Sequence, residues 1–99
     1  MKNEMEKLIE ALKVLEIPHE VLPDMWGNNQ VWYPARQGHI MDAICHKYSY
    51  GGDEDLLEIM GLLTEEEKEI DDVIGYLTAE DVLARIIKHR QEEVKRVIG

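Results

Sequence analysis

The sequence has no phenylalanine, one cysteine and three prolines. Without Phe, the interior has to be filled by Leu, Ile, Val and Met, helped by two Trp and four Tyr. A lone Cys45 makes no intramolecular disulfide, and neither a paired C-x-x-C nor an H-E-x-x-H spacing offers a zinc site. No apolar run approaches the roughly 20 residues that span a bilayer. The opening "MKNEMEKLIEAL" carries acids throughout and lacks the apolar stretch of a signal peptide. These absences argue against membrane, secreted and disulfide-framework classes and point to a cytoplasmic protein. What is present suits one domain over residues 1–99: the hydrophobic content is 44%, and a chain of this size buries roughly 60% of its unfolded surface.

Positive charge is also scarce. Eleven Lys and Arg stand against 21 Asp and Glu, a net charge of -10. Such a field repels nucleic acid and anionic membranes and favours basic partners. It is unevenly spread. Residues 53–81 hold twelve acids against Lys68 alone. Residues 17–52 hold Glu20, Asp24 and Asp42 against Arg36, Lys47 and three His, and residues 82–99 are basic.

Met5, Leu8, Ile9, Leu12 and Leu15 recur at three- and four-residue steps and predict a helix over about 3–16, stopped by Pro18. "HEVL" reads as a short strand, "DMWGNN" as a turn and "QVWYP" as a second strand. "HIMDAICHKY" reads as a third, longer strand that ends at Gly51-Gly52. In that strand Met41, Ala43 and Cys45 share one face, and Ile40, Asp42, Ile44, His46 and Tyr48 share the other.

The second half contains a near repeat. "MGLLTEEE" (60–67) matches "IGYLTAED" (74–81) at an offset of fourteen. Gly61 and Gly75 read as helix ends, Thr64 and Thr78 as N-caps, and Glu67 and Asp81 as the acids that complete capping boxes. Leu77 can staple to Val82, whereas Lys68 stands at the matching place in the first copy. The grammar predicts helices at about 54–60, 65–73 and 79–97, with Asp53 capping the first. The fold expected is α+β: a small three-stranded antiparallel sheet with an N-terminal helix and a C-terminal helical segment packed on one face. Two free edges and an open face favour a homo-oligomer.

The chemistry-bearing residues are concentrated in "CHKYSY" and "VWYPAR". His19, His39, Asp42, Cys45 and His46 are ligand types, but Cys45 and His46 are strand neighbours of opposite direction, so no metal is expected. Cys45 lies on the apolar face, and Ser49 lacks a G-x-S-x-G turn. The paired acids fall at helix starts, where they oppose the dipole. "GGDED" offers a phosphate three like charges. The protein is therefore expected not to be an enzyme and to need no cofactor. Trp32, Arg36, His46, Lys47, Tyr48 and Tyr50 combine aromatic faces with cationic donors, which suits stacking a base and holding a phosphate.

At "IPHEVLPD", "CHKYSYGGDEDLLEIMGLLTEEE" and "DDVIGYLTAEDVLARI" the chain resembles a family of short uncharacterised proteins of phages and prophages of gut clostridia-like bacteria, over roughly residues 17–87. The resemblance implies a phage accessory protein acting in a bacterial host against its defences. Two functions fit. One is sequestration of a nucleotide-derived signal by those six residues, across a subunit interface. The other is an acidic inhibitor, a nucleic-acid mimic, that docks segment 53–81 on a basic host defence protein.

Overall fold

The structure is a computed structural model and describes residues 1–99. Its elements run α1 (Glu4–Val14), β1 (Glu20–Pro23), β2 (Asn29–Tyr33), β3 (Met41–Ile44), β4 (Leu57–Met60), α2 (Glu65–Ile70), β5 (Val73–Leu77) and α3 (Ala79–Ile98). The strands form one antiparallel meander in the order β1-β2-β3-β4-β5. The class is α+β, but the sheet has five strands and not three. No helix is long and apolar enough to cross a membrane.

Of the two added strands, β4 lies where a helix is expected from sequence and β5 where the connection between two helices is expected. Residues 57–60 read Leu-Glu-Ile-Met, and only Leu57 and Ile59 are buried. That alternation is the strand period of two. A short apolar run also satisfies three- and four-residue steps, so the sequence alone reads as a helical turn. Residues 73–77 hold Val73 and Ile74, whose branched β-carbons favour a pleated strand. Gly61 has φ +96° but closes a strand and not a helix. Gly75 lies inside β5 because a β-carbon there would run into Tyr50. The third strand is short. Beyond Ile44 the chain turns through His46–Ser49 into a 3-10 turn at Gly52–Glu54, which Asp53 sits within and does not cap.

α1 ends earlier than Pro18 requires. The Glu16 N–H donates to the Lys13 carbonyl at 3.1 Å and the Ile17 N–H to the Leu12 carbonyl at 2.9 Å, with Glu16 at φ +55°. This is a Schellman closure with Glu where Gly is usual, and Ile17 folds back into the core. The two capping boxes are present as the sequence predicts, on Thr64 with Glu67 and on Thr78 with Asp81.

α1 and α3 lie together over one face of the sheet. Met5, Leu8 and Leu12 of α1 and Ala79, Val82 and Ile86 of α3 join Val31, Tyr33, Met41, Ala43, Leu57 and Ile59 in one core cluster, with Ile17 at its border. The other face carries no helix, and this is what leaves the middle strands accessible.

Candidate functional site

On the open face, register sets Glu20, Trp32, Asp42 and Met60 in one row across β1 to β4, and Ile44 beside Glu58. Gln30 donates to Asp42 at 3.0 Å. Gln30, Asp42, Ile44, Glu58 and Met60, together with Asp24, Trp26 and His46, line a hollow of about 300 Å³, and Glu20 and Trp32 lie outside it. Its floor is unusual for its acids. Burial pushes the Asp42 carboxyl above the usual range, and the Gln30 hydrogen bond only partly offsets this. Asp24 accepts from the Trp26 and Asn28 N–H groups through Oδ1, at 2.8 and 3.0 Å, and its Oδ2 is enclosed without a partner. Trp32 Nε1 is likewise enclosed and unpartnered.

The six residues singled out from sequence do not meet at one point. His46, Lys47 and Tyr48 gather around Trp26 of the β1–β2 turn. Trp26 lies 4.7 Å from the Tyr48 ring and 6.0 Å from His46, and Lys47 Nζ is 5.4 Å from the Trp26 centroid and 5.1 Å from that of Tyr48. Trp32 belongs to the opposite end of the sheet, edge-on to His39 at 4.8 Å. Four residue steps along β3 and its extension separate its partner Asp42 from His46, about 13 Å of extended chain. Arg36 is exposed in the β2–β3 loop, where its N–H donates to Glu20 at 3.0 Å and its carbonyl meets His39 Nδ1 at 3.0 Å. The backbone of Tyr50 donates to Glu58 at 2.8 Å and its ring is exposed.

The rest of "CHKYSYGGDED" is occupied by its own loop. Ser49 is buried; its hydroxyl accepts from the His46 N–H at 2.9 Å and donates to the His46 carbonyl at 2.8 Å. His46 Nδ1 accepts from the Tyr48 N–H at 3.1 Å, which places the neutral ring's proton on Nε2. Cys45 lies half-buried against the core, and burial, then the charges of Asp55 and Asp24, push its thiol up, away from a reactive thiolate. His19 is held by the Ile17 carbonyl at 2.8 Å. No three of His, Cys, Asp and Glu surround one point as metal ligands do.

Trp26, Asp24, Glu58 and Met60 join this site without being singled out by the sequence. Trp26 was hidden in a turn, although a large ring beside Gly27-Asn28-Asn29 is itself a sign of a surface role. Glu58 and Met60 were hidden by a helical reading of a strand.

A second surface is built around α2. Arg85 of α3 reaches out and grips Glu67 with two parallel bonds, Nη1 to Oε1 and Nη2 to Oε2, each 2.7 Å, and Nη1 also donates to the Leu62 carbonyl at 3.0 Å. Arg85, helped by the Thr64 N–H, holds the Glu67 carboxyl down at about 2. α2 buries no residue. Ile70 is 87% exposed, and Glu65, Glu66, Glu69, Asp71 and Asp72 around it are exposed as well. Of the twelve acids in 53–81, Glu65 and Glu67 alone take part in ion pairs.

Fold and sites together define an α+β domain with an antiparallel meander, helix-covered on one face, bearing an acidic aromatic hollow and an acidic projecting helix. Comparison with known protein families, curated proteins and solved structures finds no match.

Proposed function

We propose that the chain is a non-enzymatic binding protein that presents α2 and the residues just after it to a basic surface of a partner protein. One observation carries this reading: α2 buries nothing, yet it is stapled in place and leaves Ile70 exposed in a stretch of mostly exposed acids broken only by Lys68. A helix with no buried side chain contributes little to a core, since helical stability in proteins comes mostly from packing an apolar face. A projecting aliphatic group surrounded by charge is the pattern of an interface anchor with a polar rim. The unpaired carboxylates add long-range attraction for a cationic partner. The resemblance to phage proteins supplies the setting, in which the partner is a basic host defence protein.

Sequestration of a nucleotide-type ligand is the second reading. It draws on the Trp26, His46, Lys47 and Tyr48 group, where a cation already lies over two rings. Its phosphate would meet Asp24, Asp42 and Glu58 in the adjoining hollow, so the acidic-face reading is preferred.

The two readings separate in one experiment. Immobilised protein in bacterial extract retains a partner under the first. Ile70→Asp and the double change Glu66→Lys/Glu69→Lys then abolish retention, and Trp26→Ala and Lys47→Ala do not. If retention survives the α2 changes, and cyclic nucleotides raise the melting temperature of the wild type but not of Trp26→Ala, the nucleotide reading replaces it. A ligand at 100 times its Kd stabilises by about 2.7 kcal/mol, which a thermal scan detects.

A further inference from the structure

α3 is 20 residues long, about 30 Å at helical rise, and its buried residues, Ala79, Val82 and Ile86, all lie in its first half. The apolar stripe continues past them. Ile87, Val94 and Val97 follow at helical spacing, with Val94 57% and Val97 82% exposed. Leu15, just after α1, is 50% exposed and shares a surface with Ile87 and Val94. Where the turn after α1 meets the second half of α3 lies a groove of about 710 Å³, formed on Leu15, Ile17, Ile87 and Val94 and flanked by Arg90 and Lys95.

The charge of this groove is the reverse of the rest of the molecule. No carboxylate lines it. Neither Arg90 nor Lys95 takes part in an ion pair, in a chain of net charge -10. We propose that the groove receives an amphipathic helix of a partner protein, apolar on the face it buries and acidic along its flanks. Helix-in-groove recognition uses apolar anchors at steps of three, four and seven. Along α3 the groove runs from Ile87 to Lys95, about 12 Å or a little over two turns, so the guest helix has at least that length.

A second copy of this chain fits less well. Setting this face of α3 against another α3 brings Arg90 and Lys95 against their own kind. The acidic α2 of another copy has six residues, about 9 Å, and leaves about a quarter of the groove's length bare. The surface is also separate from the α2 face. Arg85, which holds α2, is two residues from Ile87 and so about 200° around the helix.

The test uses a fluorescein-labelled peptide of about 15 residues, four turns long, held helical by a hydrocarbon staple, with Leu at the anchor steps and Glu on the flanks. A matched peptide carries Lys in place of Glu. Fluorescence anisotropy is expected to show the acidic peptide binding the full chain at least tenfold more tightly than the basic one, with affinity falling as salt rises. Arg90→Glu/Lys95→Glu and Val94→Asp are each expected to weaken binding at least tenfold; all three positions are exposed, and circular dichroism melts check that the variants stay folded. Ile70→Asp is expected to bind like the wild type. Equal binding of both peptides, or none of the acidic one, overturns the proposal. So does a concentration-dependent dimer, by sedimentation, that Val94→Asp dissociates, because the groove's occupant is then a second copy.

Discussion

Thr64 and Thr78 begin their helices with the same pair of bonds, at the same place in the same eight-residue pattern. After Thr64 the helix stops within six residues and buries nothing; after Thr78 it runs for 20 and buries Ala79, Val82 and Ile86. The difference lies four and eight residues beyond each cap. Val82 and Ile86 stand there in the second copy, and Lys68 and Asp72 in the first. A cap decides where a helix can start, because it satisfies the amide groups that the first turn leaves over. An apolar stripe decides whether the helix continues and joins the core. α2 has the first without the second, so it needs Arg85 to hold it.

The largest expected effect tests that division directly. Ile86 is fully buried and Ile70 is not. Ile86→Ala should cost about 2–5 kcal/mol of unfolding free energy, from lost burial plus the cavity left behind. Ile70→Ala should stay within about 0.5 kcal/mol. Urea unfolding of the two variants measures both. A cost above about 1 kcal/mol at Ile70 means that α2 packs on something, and the contrast between the helices fails.

A smaller effect belongs to the bond that holds α2. The carboxyl of Glu67 titrates at about 2 in the fold against 4.5 ordinarily, first because Arg85 donates to it and then because the Thr64 N–H does. As pH falls, the unfolded chain takes up this proton before the folded one. The contribution is therefore complete above about pH 5 and is lost progressively as the pH drops from 4.5 towards 2. The pair lies near the surface, with about a fifth of each side chain accessible, so solvent screening limits its worth to about 1–2 kcal/mol. Glu4 and Asp81 are also held low, so acid unfolding of the wild type alone reports several groups. The difference between wild type and Glu67→Gln isolates this one: it should be about 1–2 kcal/mol near neutral pH and close by pH 2. A difference that stays constant with pH would remove the Arg85 grip as the reason α2 is formed.

The same contrast explains what was legible in the sequence. α1, both capping boxes, the inward direction of Met41 and Ala43, and the long α3 are local: each follows from spacing or from one side chain reaching three residues back. β4 and β5 were not legible, because Leu56 to Met60 is too short for its period to be unambiguous and because glycine inside β5 imitates a helix end. Only the tertiary approach of Tyr50 to Gly75 requires that glycine. The aromatic and cationic residues failed to converge for a related reason. Trp32 and Arg36 precede β3 and His46 to Tyr50 follow it, so an antiparallel strand carries them to opposite ends. Near in sequence is not near in space when a strand lies between. Trp26 went unseen because its neighbours His46 and Tyr48 come from a loop some 20 residues on.

The smallest effect concerns a feature the two copies share. Leu62 and Tyr76 occupy matching positions, two residues before each capping threonine, and both are left-handed, with φ +55° and +59°. For a residue with a β-carbon that conformation costs about 1–2 kcal/mol. Glycine removes the cost but loses about 0.5–1 kcal/mol to the greater freedom of the unfolded chain. The side chain then decides the sign. Tyr76 is 61% exposed, so Tyr76→Gly should be neutral or stabilising by up to about 1 kcal/mol. Leu62 packs on the core, and Leu62→Gly gives back burial worth about 1–2 kcal/mol, which cancels the relief or exceeds it. Denaturant midpoints of the two variants measure the difference. If both are destabilised alike by more than about 1 kcal/mol, the left-handed turn carries no strain to relieve, and the backbone shared by the copies is set by the side chains at 62 and 76 and not by the threonine caps that follow.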